Sequence, residues 1–244
     1  MRRFGLIGYP LEHSFSQKYF TKKFKNEGIE NCYYELFPMS SLDGLNDLFI
    51  THTDLAGLNI TIPYKQNILK YLNSAANIPA GITACNCIKI SNGKLIGYNT
   101  DIVGFEQSLV PLLKPSYKKA LVLGNGGSAA AVTFVLRKLG IEYLIVSREI
   151  HDGSNITYGD ITPEMMQEHL IIINTTPVGM FPHVKYIPVV PMDFLTRNHL
   201  CYDLIYNPGM TLFLQQAESW GATIKNGDEM LRLQAEESWR IWNS

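Results

Sequence analysis

The sequence predicts an α/β protein in which mainly parallel sheets are covered by helices. Short apolar runs of strand length alternate with helical patterns from one end of the chain to the other, which is typical of α/β folds. The chain has 244 residues, and at roughly 150 residues per domain it is long enough for one large domain or two modest ones. Hydrophobic side chains make up 46% of it, so it can bury a core and is not predicted to be disordered.

The first third of the chain is predicted to fold as a unit of its own. Apolar strands are expected at Phe4 to Gly8, Cys32 to Phe37, Gly57 to Thr61 and Ala84 to Ile90. Helical spacing links Phe15, Tyr19, Phe20 and Phe24, and later Ile68, Leu69 and Leu72. The pair Asn92-Gly93 is a strong hairpin signal, and it joins the fourth strand to another at Leu95 to Tyr98.

A second series of helices and strands begins after Asp101. A helical pattern passes through Val103, Leu109 and Leu113 and is stopped by Pro115. Strands are then expected at Ala120 to Leu123, Tyr143 to Val146, Leu170 to Ile173 and Leu200 to Asp203, and helices at Gly127 to Leu139, Thr211 to Trp220 and Asp228 to Trp242. Four prolines between Pro177 and Pro191 mark one long irregular loop, of a length that is often functional.

Composition argues against several classes of function. The 21 basic and 22 acidic residues give a net charge of -1, whereas nucleic-acid proteins carry a clustered basic excess. No apolar run approaches the roughly 18 residues of a membrane span, and the N-terminal run ends too early for a signal peptide. The four scattered cysteines do not suggest a disulfide framework or a zinc site. We therefore expect a cytoplasmic protein with reduced thiols, no metal, and no nucleic-acid or membrane partner.

The most interpretable motif is a glycine turn between a strand and a helix. Gly124 lets the chain turn, Gly126 lets backbone N–H groups approach a pyrophosphate, and Ala129 allows tight packing of the helix on the strand. The N-terminus of the helix supplies partial positive charge. Gly127 and Ser128 open that helix. A lone G-x-G-x-x-G motif is weak evidence, but here both flanking elements are present, so the sequence predicts a dinucleotide site.

The residues after the next strand predict which dinucleotide binds. An acidic residue there selects NAD, whereas an arginine accommodates the 2′-phosphate of NADP. The strand predicted at Tyr143 to Val146 is followed by Ser147 and then by Arg148. This arginine favours NADP. Glu149 follows it and keeps NAD as an alternative.

Polar side chains gather where several predicted strands end. Ser14 and Ser16 open a helix, where hydroxyls and free N–H groups can face a carboxylate, although a simple helix cap is the alternative. Asn59 and Thr61 share one face of a strand. Lys65 arrives at the start of the following helix, where an ammonium group is unfavourable for the helix dipole. That placement hints at a function, although a solvated lysine is the usual outcome.

Three further polar positions lie elsewhere along the chain. Asn86 and Asp101 flank the hairpin, and Asp101 alone would most often cap the next helix. The run Asn174-Thr175-Thr176-Pro177 follows a strand at its carboxyl end, where α/β sheets place their ligands. An ordinary connection from strand to loop is the alternative there.

These motifs, in this order, resemble the shikimate dehydrogenase family over the whole chain. The resemblance rests on Gly5-Leu6-Ile7-Gly8-Tyr9-Pro10, His13-Ser14-Phe15-Ser16, Asn59-x-Thr61-x-Pro63-x-Lys65, Asn99-Thr100-Asp101, Asn174-x-Thr176-Pro177-x-Gly179-Met180, Tyr202-Asp203-Leu204-Ile205-Tyr206-Asn207-Pro208 and Gly227-x-x-Met230-Leu231-x-x-Gln234. It implies an N-terminal α/β substrate domain, residues 1–101 with 228–244, and a Rossmann-like NADP-binding domain with a parallel sheet, residues 102–227. In such enzymes the active site lies in the cleft between the domains.

The resemblance also implies an activity and a set of roles. The activity is the NADP-dependent, reversible reduction of 3-dehydroshikimate to shikimate in aromatic amino acid (chorismate) biosynthesis. The substrate carboxylate would be bound by Ser14, Ser16 and Tyr206. The ring hydroxyls would be bound by Asn59, Thr61, Asn86, Asp101 and Gln234. Lys65 and Asp101 would be the catalytic pair. Gly124, Gly126, Gly127 and Ser128 would lie under the pyrophosphate, Arg148 near the adenosine phosphate, and Thr175, Thr176, Pro177, Met180 and Gly227 near the nicotinamide.

Some positions depart from the usual pattern of the family. Gln17 stands where proline is common, Cys87 where threonine is common, and Asn125 where a small residue is common. A second basic residue is absent shortly after Arg148, which weakens the case for NADP. Two alternatives remain: an enzyme that also accepts quinate and uses NAD or NADP, and a non-catalytic nucleotide sensor. The intact Lys65 and Asp101 argue against the sensor. The partner is expected to be a small-molecule substrate, and the protein a monomer or homodimer.

Overall fold

A computed structural model describes residues 1–12, 14–150 and 155–244. Contacts divide the chain into unit 1, Met1–Thr100 with Ala235–Ser244, and unit 2, Asp101–Gln234. This division assigns Asp101 and residues 228–234 to unit 2, whereas the sequence places them in the substrate domain. The boundaries of the functional domains therefore stay a prediction. Within the described residues, no helix combines the length and apolarity needed to cross a membrane.

Unit 1 is built on a mixed sheet. Its strands are β1 (Arg2–Gly8), β2 (Cys32–Pro38), β3 (Leu55–Ile60), β4 (Cys87–Ser91) and β5 (Lys94–Tyr98), and its first two helices are α1 (Phe15–Asn26) and α2 (Leu45–Thr51). In the described part of the chain the strand order is β2-β1-β3-β4-β5. The first three strands run parallel, whereas β4 is antiparallel to β3 and β5. The predicted hairpin at Asn92-Gly93 is thus confirmed.

Separate apolar clusters fill the core of unit 1. One cluster gathers Ile7, Leu45, Leu58, Ile60 and Ile68, all almost fully buried. The other joins Phe4, Phe20 and Tyr34 to Trp242 near the C-terminus. The indole N–H of Trp242 donates to the carbonyl of Ile88 at 3.0 Å. The end of the last helix, α7 (Asp228–Trp242), is therefore anchored on the sheet of unit 1.

Unit 2 contains a parallel sheet with helices. Its strands are β6 (Lys119–Leu123), β7 (Glu142–Ser147), β8 (Ile156–Thr157), β9 (Ile171–Asn174), β10 (Leu200–Asp203) and β11 (Thr223–Lys225), and its helices are α3 (Asp101–Leu109), α4 (Gly127–Lys138), α5 (Pro163–Glu168) and α6 (Leu212–Ser219). Among the described residues the strand order is β11-β10-β9-β6-β7-β8, with parallel pairing throughout. The predicted α/β class, with a parallel sheet in this part of the chain, is confirmed.

The order of strands in unit 2 marks a place for a ligand. From β6 the chain proceeds to β7 and β8 in one direction, and then returns to the other side of β6 with β9, β10 and β11. The carboxyl ends of β6 and β9 therefore border the point at which the strand order reverses. Open parallel sheets bind their ligands in the crevice at such a point.

Several predicted elements differ in detail. The strand predicted from Ala84 begins only at Cys87, because residues 84–86 make side-chain and loop hydrogen bonds instead. The helix predicted after Asp101 ends at Leu109 and continues as a short 3-10 turn, Val110–Leu112. The helical spacing after Lys65 is a 3-10 helix, Asn67–Tyr71. Helices α2 and α5 and strands β8 and β11 were not predicted.

Candidate active site

Ser14 stands at the N-cap position of α1 but does not cap the helix. Its backbone is extended, with φ -63° and ψ 129°, and its side chain makes no capping hydrogen bond. The hydroxyl oxygen is buried and has no hydrogen-bond partner in the part of the chain that the structure describes. His13, which precedes it, lies outside the described residues. A buried, unsatisfied hydroxyl is costly, and at a helix N-terminus an anion is the ligand that satisfies it best.

Ser16 lies close by in the first turn of α1 and reaches a buried tyrosine. It is 8% exposed and forms a hydrogen bond with Tyr34 in β2. Burial raises the pKa of the Tyr34 phenol well above its usual value, and the bond with Ser16 opposes this only partly. The phenol therefore stays protonated and acts as a hydrogen-bond donor.

The side-chain amide of Asn59 is occupied by the protein itself. Its Oδ1 accepts from the hydroxyl of Tyr34 at 2.9 Å. Its Nδ2 donates to the carbonyl of Asn86 at 3.2 Å and to the hydroxyl of Ser238 in α7 at 2.9 Å. Both N–H groups of the amide are thus used. Asn59 ties β2, β3 and the last helix together, which differs from the ring-hydroxyl role that the family resemblance implies; that role stays untested.

Asn86 continues the same network toward the end of β5. Its Oδ1 accepts from the backbone N–H of Thr100 at 2.6 Å, and its Nδ2 donates to the Thr100 hydroxyl at 3.0 Å. That hydroxyl lies 3.2 Å from the hydroxyl of Ser238. Ser16, Tyr34, Asn59, Asn86, Thr100 and Ser238 form one continuous set, which we call the unit 1 network.

Thr61 and Lys65 follow β3 in a turn. The Thr61 N–H donates to the carbonyl of Ile7 in β1 at 2.9 Å. The Lys65 carbonyl accepts from the Cys85 N–H at 2.7 Å, which fixes the backbone at the base of the side chain. Because Lys65 precedes a short 3-10 helix rather than opening an α-helix, the expectation of an unfavourable helix dipole was wrong.

Asp101 and Gln234 are the first and last residues of unit 2 in the sequence. Asp101 is the first residue of α3 and is 5% exposed. Gln234 is 8% exposed, and its Nε2 donates to the Leu231 carbonyl at 2.9 Å. Both are buried polar side chains of the kind that need defined partners.

The glycine turn after β6 has the geometry that its sequence predicts. Gly124 has φ +101°, and a Cβ there would lie 2.7 Å from Cγ2 of Thr176 and 2.9 Å from Oγ1 of Thr175. Gly126 is the N-cap of α4 and precedes Gly127 and Ser128. Apart from Gly126 itself and the residues adjacent to it in the chain, no atom of the described residues lies within 4 Å of a Cβ built on Gly126. Open space therefore adjoins the positive end of α4.

Arg148 and Glu149 follow β7 on the surface. Both are exposed, and Arg148 lies near enough to Tyr158 to oppose the rise that burial causes in the pKa of that phenol. The Ser147 hydroxyl donates to the Glu149 carbonyl, which fixes the turn that carries both side chains. Residues 151–154 lie outside the described part of the chain.

A second set of hydrogen bonds joins the loops that follow β6, β9 and β10. The Thr175 hydroxyl donates to the Leu123 carbonyl at 2.7 Å. The Thr176 hydroxyl donates to Asn174 Oδ1 at 2.6 Å, and Asn174 Nδ2 donates to Asp203 Oδ1 at 3.0 Å. The carboxylate of Asp203 also accepts from the N–H of Ile205 at 3.1 Å and from the hydroxyl of Thr211 at 2.7 Å. We call this the unit 2 network.

The remaining predicted residues lie beside these loops. Gly227 approaches the Leu204 backbone so closely that a Cβ there would be 2.0 Å from the Leu204 carbonyl oxygen, and its N–H donates to the Ile205 carbonyl at 3.0 Å. Tyr206 is half-buried, two residues after Leu204. The Met180 N–H donates to the Pro177 carbonyl at 3.1 Å, and 39% of the Met180 surface is exposed.

Five polar residues of these networks were given no role in the sequence analysis, namely Tyr34, Thr100, Asp203, Thr211 and Ser238. Tyr34 and Ser238 lie at positions whose apolar neighbours indicate only a core, and Thr100 was singled out only as part of a motif. Asp203 was likewise noted within a motif. The signal that distinguishes Asp203 is a carboxylate at the buried end of an apolar strand, and Thr211, eight residues later, is its partner.

Comparison with known proteins gives the family. The profile of the shikimate dehydrogenase substrate binding domain matches residues 6–88. The shikimate dehydrogenase (NADP(+)) of Methanococcus maripaludis is 38% identical over an alignment of 255 positions, gaps included. The alignment covers 98% of this chain and 90% of that protein. Among solved structures, shikimate dehydrogenase from Aquifex aeolicus has a TM-score of 0.88 at 30% identity, covering 100% and 92% of the two chains. That from Thermus thermophilus, in complex with NADP(H) and shikimate, has a TM-score of 0.87 at 29% identity, covering 99% and 93%.

We predict that the bonds of Tyr34 and Ser238 to Asn59 stabilise unit 1 cooperatively. Tyr34→Phe and Ser238→Ala should each lower the free energy of unfolding by about 1–3 kcal/mol, because each leaves part of the buried amide unsatisfied. The double variant should lose less than the sum, since both bonds serve one side chain. Urea titration measures all three, and Ser219→Ala, which removes an exposed hydroxyl, is the control. Strictly additive losses would contradict a shared network.

Proposed function

The chain belongs to the shikimate dehydrogenase family, and from that premise we propose that it is an NADP-dependent oxidoreductase that interconverts 3-dehydroshikimate and shikimate. The reaction is a hydride transfer coupled to the transfer of a hydroxyl proton. The proposal needs a site for a carboxylate, a site for a polyol ring, a dinucleotide site and a group that moves the proton. Each of these has candidates among the described residues.

The observation that carries the proposal is the unsatisfied hydroxyl of Ser14. A helix cap would use this side chain internally, but it makes no capping bond, and its buried oxygen has no partner among the described residues. The N-terminal turn of α1 adds partial positive charge at the same place, through its backbone N–H groups and the helix dipole. A carboxylate supplies an acceptor for the hydroxyl and a negative charge for the helix end. Ser16 and Tyr206 complete the proposed carboxylate site.

The ring of the substrate is proposed to bind beside the unit 1 network. Thr61, Asn86, Asp101 and Gln234 supply candidate groups for its hydroxyls. Asn59 has both amide protons engaged within the protein, so its contribution is to hold the surrounding groups in place. A rigid set of polar groups suits a rigid, polyhydroxylated ring, because little conformational entropy is lost on binding.

The dinucleotide is proposed to bind where the strand order of unit 2 reverses. The turn at Gly124 and the open space beside Gly126, at the N-terminus of α4, fit a pyrophosphate. Thr175, Thr176 and Met180, in the loop after β9, are the candidates for the nicotinamide. The bound nicotinamide supplies the hydride acceptor and donor that side chains lack. Arg148 is the candidate for the 2′-phosphate, because its guanidinium matches a phosphate.

Lys65 is the proposed proton-transfer residue, with Asp101 as its partner. In the direction of oxidation the lysine amine removes the proton of the reacting hydroxyl, and in reduction the ammonium returns it to the carbonyl oxygen. The family resemblance implies that Asp101 is the second residue of this catalytic pair. A cytoplasmic location, and a monomeric or homodimeric state, also remain proposals.

We predict that Ser14→Ala weakens substrate binding without weakening the fold. The Michaelis constant for shikimate, measured with NADP by nicotinamide absorbance, should rise about ten- to hundredfold, because a hydrogen bond to a charged group contributes about 1.5–3 kcal/mol. The melting temperature should not fall, since the hydroxyl makes no bond among the described residues. Thr162→Ala removes a hydroxyl that does cap α5, so it should lower the melting temperature and leave the Michaelis constant unchanged. If the two variants behaved alike, Ser14 would be a structural residue.

We predict that Lys65→Met lowers turnover about a hundredfold to ten-thousandfold, the usual contribution of a positioned acid or base, with a much smaller effect on substrate affinity. The matched control is Lys70→Met, the same change at an exposed lysine of the following 3-10 helix, which should keep the wild-type turnover. Near wild-type turnover of folded Lys65→Met would assign the proton transfer to another group.

We predict that Arg148→Ala selectively weakens the use of NADP. The kcat/KM with NADP should fall about ten- to hundredfold and that with NAD should stay nearly unchanged, because only NADP loses a charge-assisted contact. Arg137→Ala, which removes an exposed arginine from the last turn of α4, should change neither value. Since Glu149 is adjacent and repels a phosphate, the preference of the wild type is expected to be modest. A wild type that prefers NAD, or an equal loss with both cofactors, would show that Arg148 does not bind the 2′-phosphate.

A further inference from the structure

Asp203 is a fully buried carboxylate with no assigned part in the proposed reaction. It ends β10 with 0% exposure. The groups that donate to it, namely the Asn174 amide, the Ile205 N–H and the Thr211 hydroxyl, are all neutral. An ionised carboxylate in such a place is unfavourable unless its hydrogen bonds secure something else.

The bonds of Asp203 lead to two segments that are proposed to contact ligands. Through Asn174 they reach Thr176, whose hydroxyl and N–H both donate to Asn174 Oδ1, at 2.6 and 3.0 Å. The Thr176 hydroxyl in turn accepts from the Val178 N–H at 3.2 Å. Through the Ile205 N–H the same carboxylate holds the backbone next to Tyr206.

The two carboxylate oxygens of Asp203 bind different groups. Asp203 Oδ1 accepts from both Asn174 and Ile205, so one oxygen atom links the loop after β9 to the loop after β10. Oδ2 is held by Thr211, whose hydroxyl also accepts from the Leu214 N–H and so caps α6 at 3.3 Å. The carboxylate is therefore oriented by a helix end.

We propose that Asp203 is a positioning residue, whose carboxylate aligns the Asn174–Val178 segment with the Ile205–Tyr206 segment and thereby places the groups that hold the nicotinamide and the substrate carboxylate. This inference rests on the proposed function. It also explains why a charge that destabilises the fold is present: burial raises the pKa of Asp203 to about 6, against the opposing effect of its hydrogen bonds.

Comparing the variants Asp203→Ala and Asp203→Asn tests whether the hydrogen bonds of Asp203, rather than its charge, position the two loop segments. The asparagine keeps an oxygen for Asn174 and Ile205, and its amide can donate to the Thr211 hydroxyl, whereas the alanine removes every bond. In the shikimate and NADP assay, Asp203→Ala should lower kcat at least tenfold and raise the Michaelis constant for NADP. Asp203→Asn should stay within about threefold of the wild type. The ratio of kcat/KM for NADP and NAD should not change in either variant, because Arg148 lies on a different loop.

Hydrogen exchange of the ligand-free protein tests the same link without the reaction. Asp203→Ala should speed the exchange of the backbone amides of Thr176, Val178 and Ile205, and Asp203→Asn should not. Asn174→Ala breaks the link from its other side, so it should reproduce the loss in kcat even if Asp203→Ala does not fold. Thr162→Ala, which destabilises α5 away from the network, should leave kcat and these amides unchanged.

The outcomes distinguish the two proposals. A wild type that does not turn over shikimate would overturn the proposed function. The hydrogen-exchange rates would still test whether Asp203 holds the two loop segments in place. Unchanged kcat and exchange in Asp203→Ala would overturn the positioning role. An Asp203→Asn variant as impaired as Asp203→Ala would also overturn it, because the charge rather than the geometry would then be responsible.

Discussion

A buried polar group that lacks a hydrogen bond costs about 1–3 kcal/mol, and this constraint determines how the strand ends of both units are built. In unit 1 the amide of Asn59, near the end of β3, would keep only its bond to the Asn86 carbonyl without Tyr34 and Ser238, which come from β2 and α7. In unit 2 the carboxylate of Asp203 depends on Asn174 and Thr211 in the same way. Because each partner comes from a different segment, satisfying one group fixes several loops at once. The loops beside these strand ends carry the residues proposed to bind ligands.

The two networks differ in their energetic effect. Asn59 is neutral and fully bonded, so its burial is compatible with a stable fold. Asp203 has a pKa of about 6 in the folded protein, compared with about 3.9 for a free aspartate. Between about pH 4 and pH 6 the folded state therefore keeps the Asp203 proton, whereas the unfolded chain releases it. The contribution of this group to stability is full below about pH 4 and is lost as the pH rises through 6. At neutral pH the loss is on the order of 3 kcal/mol. Destabilising groups of this kind are concentrated at functional sites.

The sequence predicts those parts of the fold and the site that depend on local patterns. Apolar runs predict β1, β6, β9 and β10 to within two residues at each end, and the glycine turn at Gly124 is identified because its spacing is tied to a strand and a helix. Strands of two or three residues such as β8 and β11, and short helices such as α2 and α5, carry too few residues for a period to be recognised. Tyr34 and Ser238 were missed for another reason. Their importance comes from residues distant in sequence, and an aromatic residue in a strand or a serine in an apolar helix face indicates only a core.

The hydrogen-bond state of each polar residue separates the residues that hold a ligand from the residues that shape its site. A group that is already bonded within the protein must give up that bond, or share it, before it binds a substrate, so its net contribution to affinity is small. Asn59 is in this position. A buried group without a partner gains the full bond when a ligand arrives, and among the described residues the Ser14 hydroxyl is such a group. If the proposed roles hold, substrate affinity depends most on Ser14, and the arrangement of the groups proposed to bind the ring depends on Asn59. Sequence motifs alone do not make this distinction, because both kinds of residue occur in the same short clusters of polar side chains.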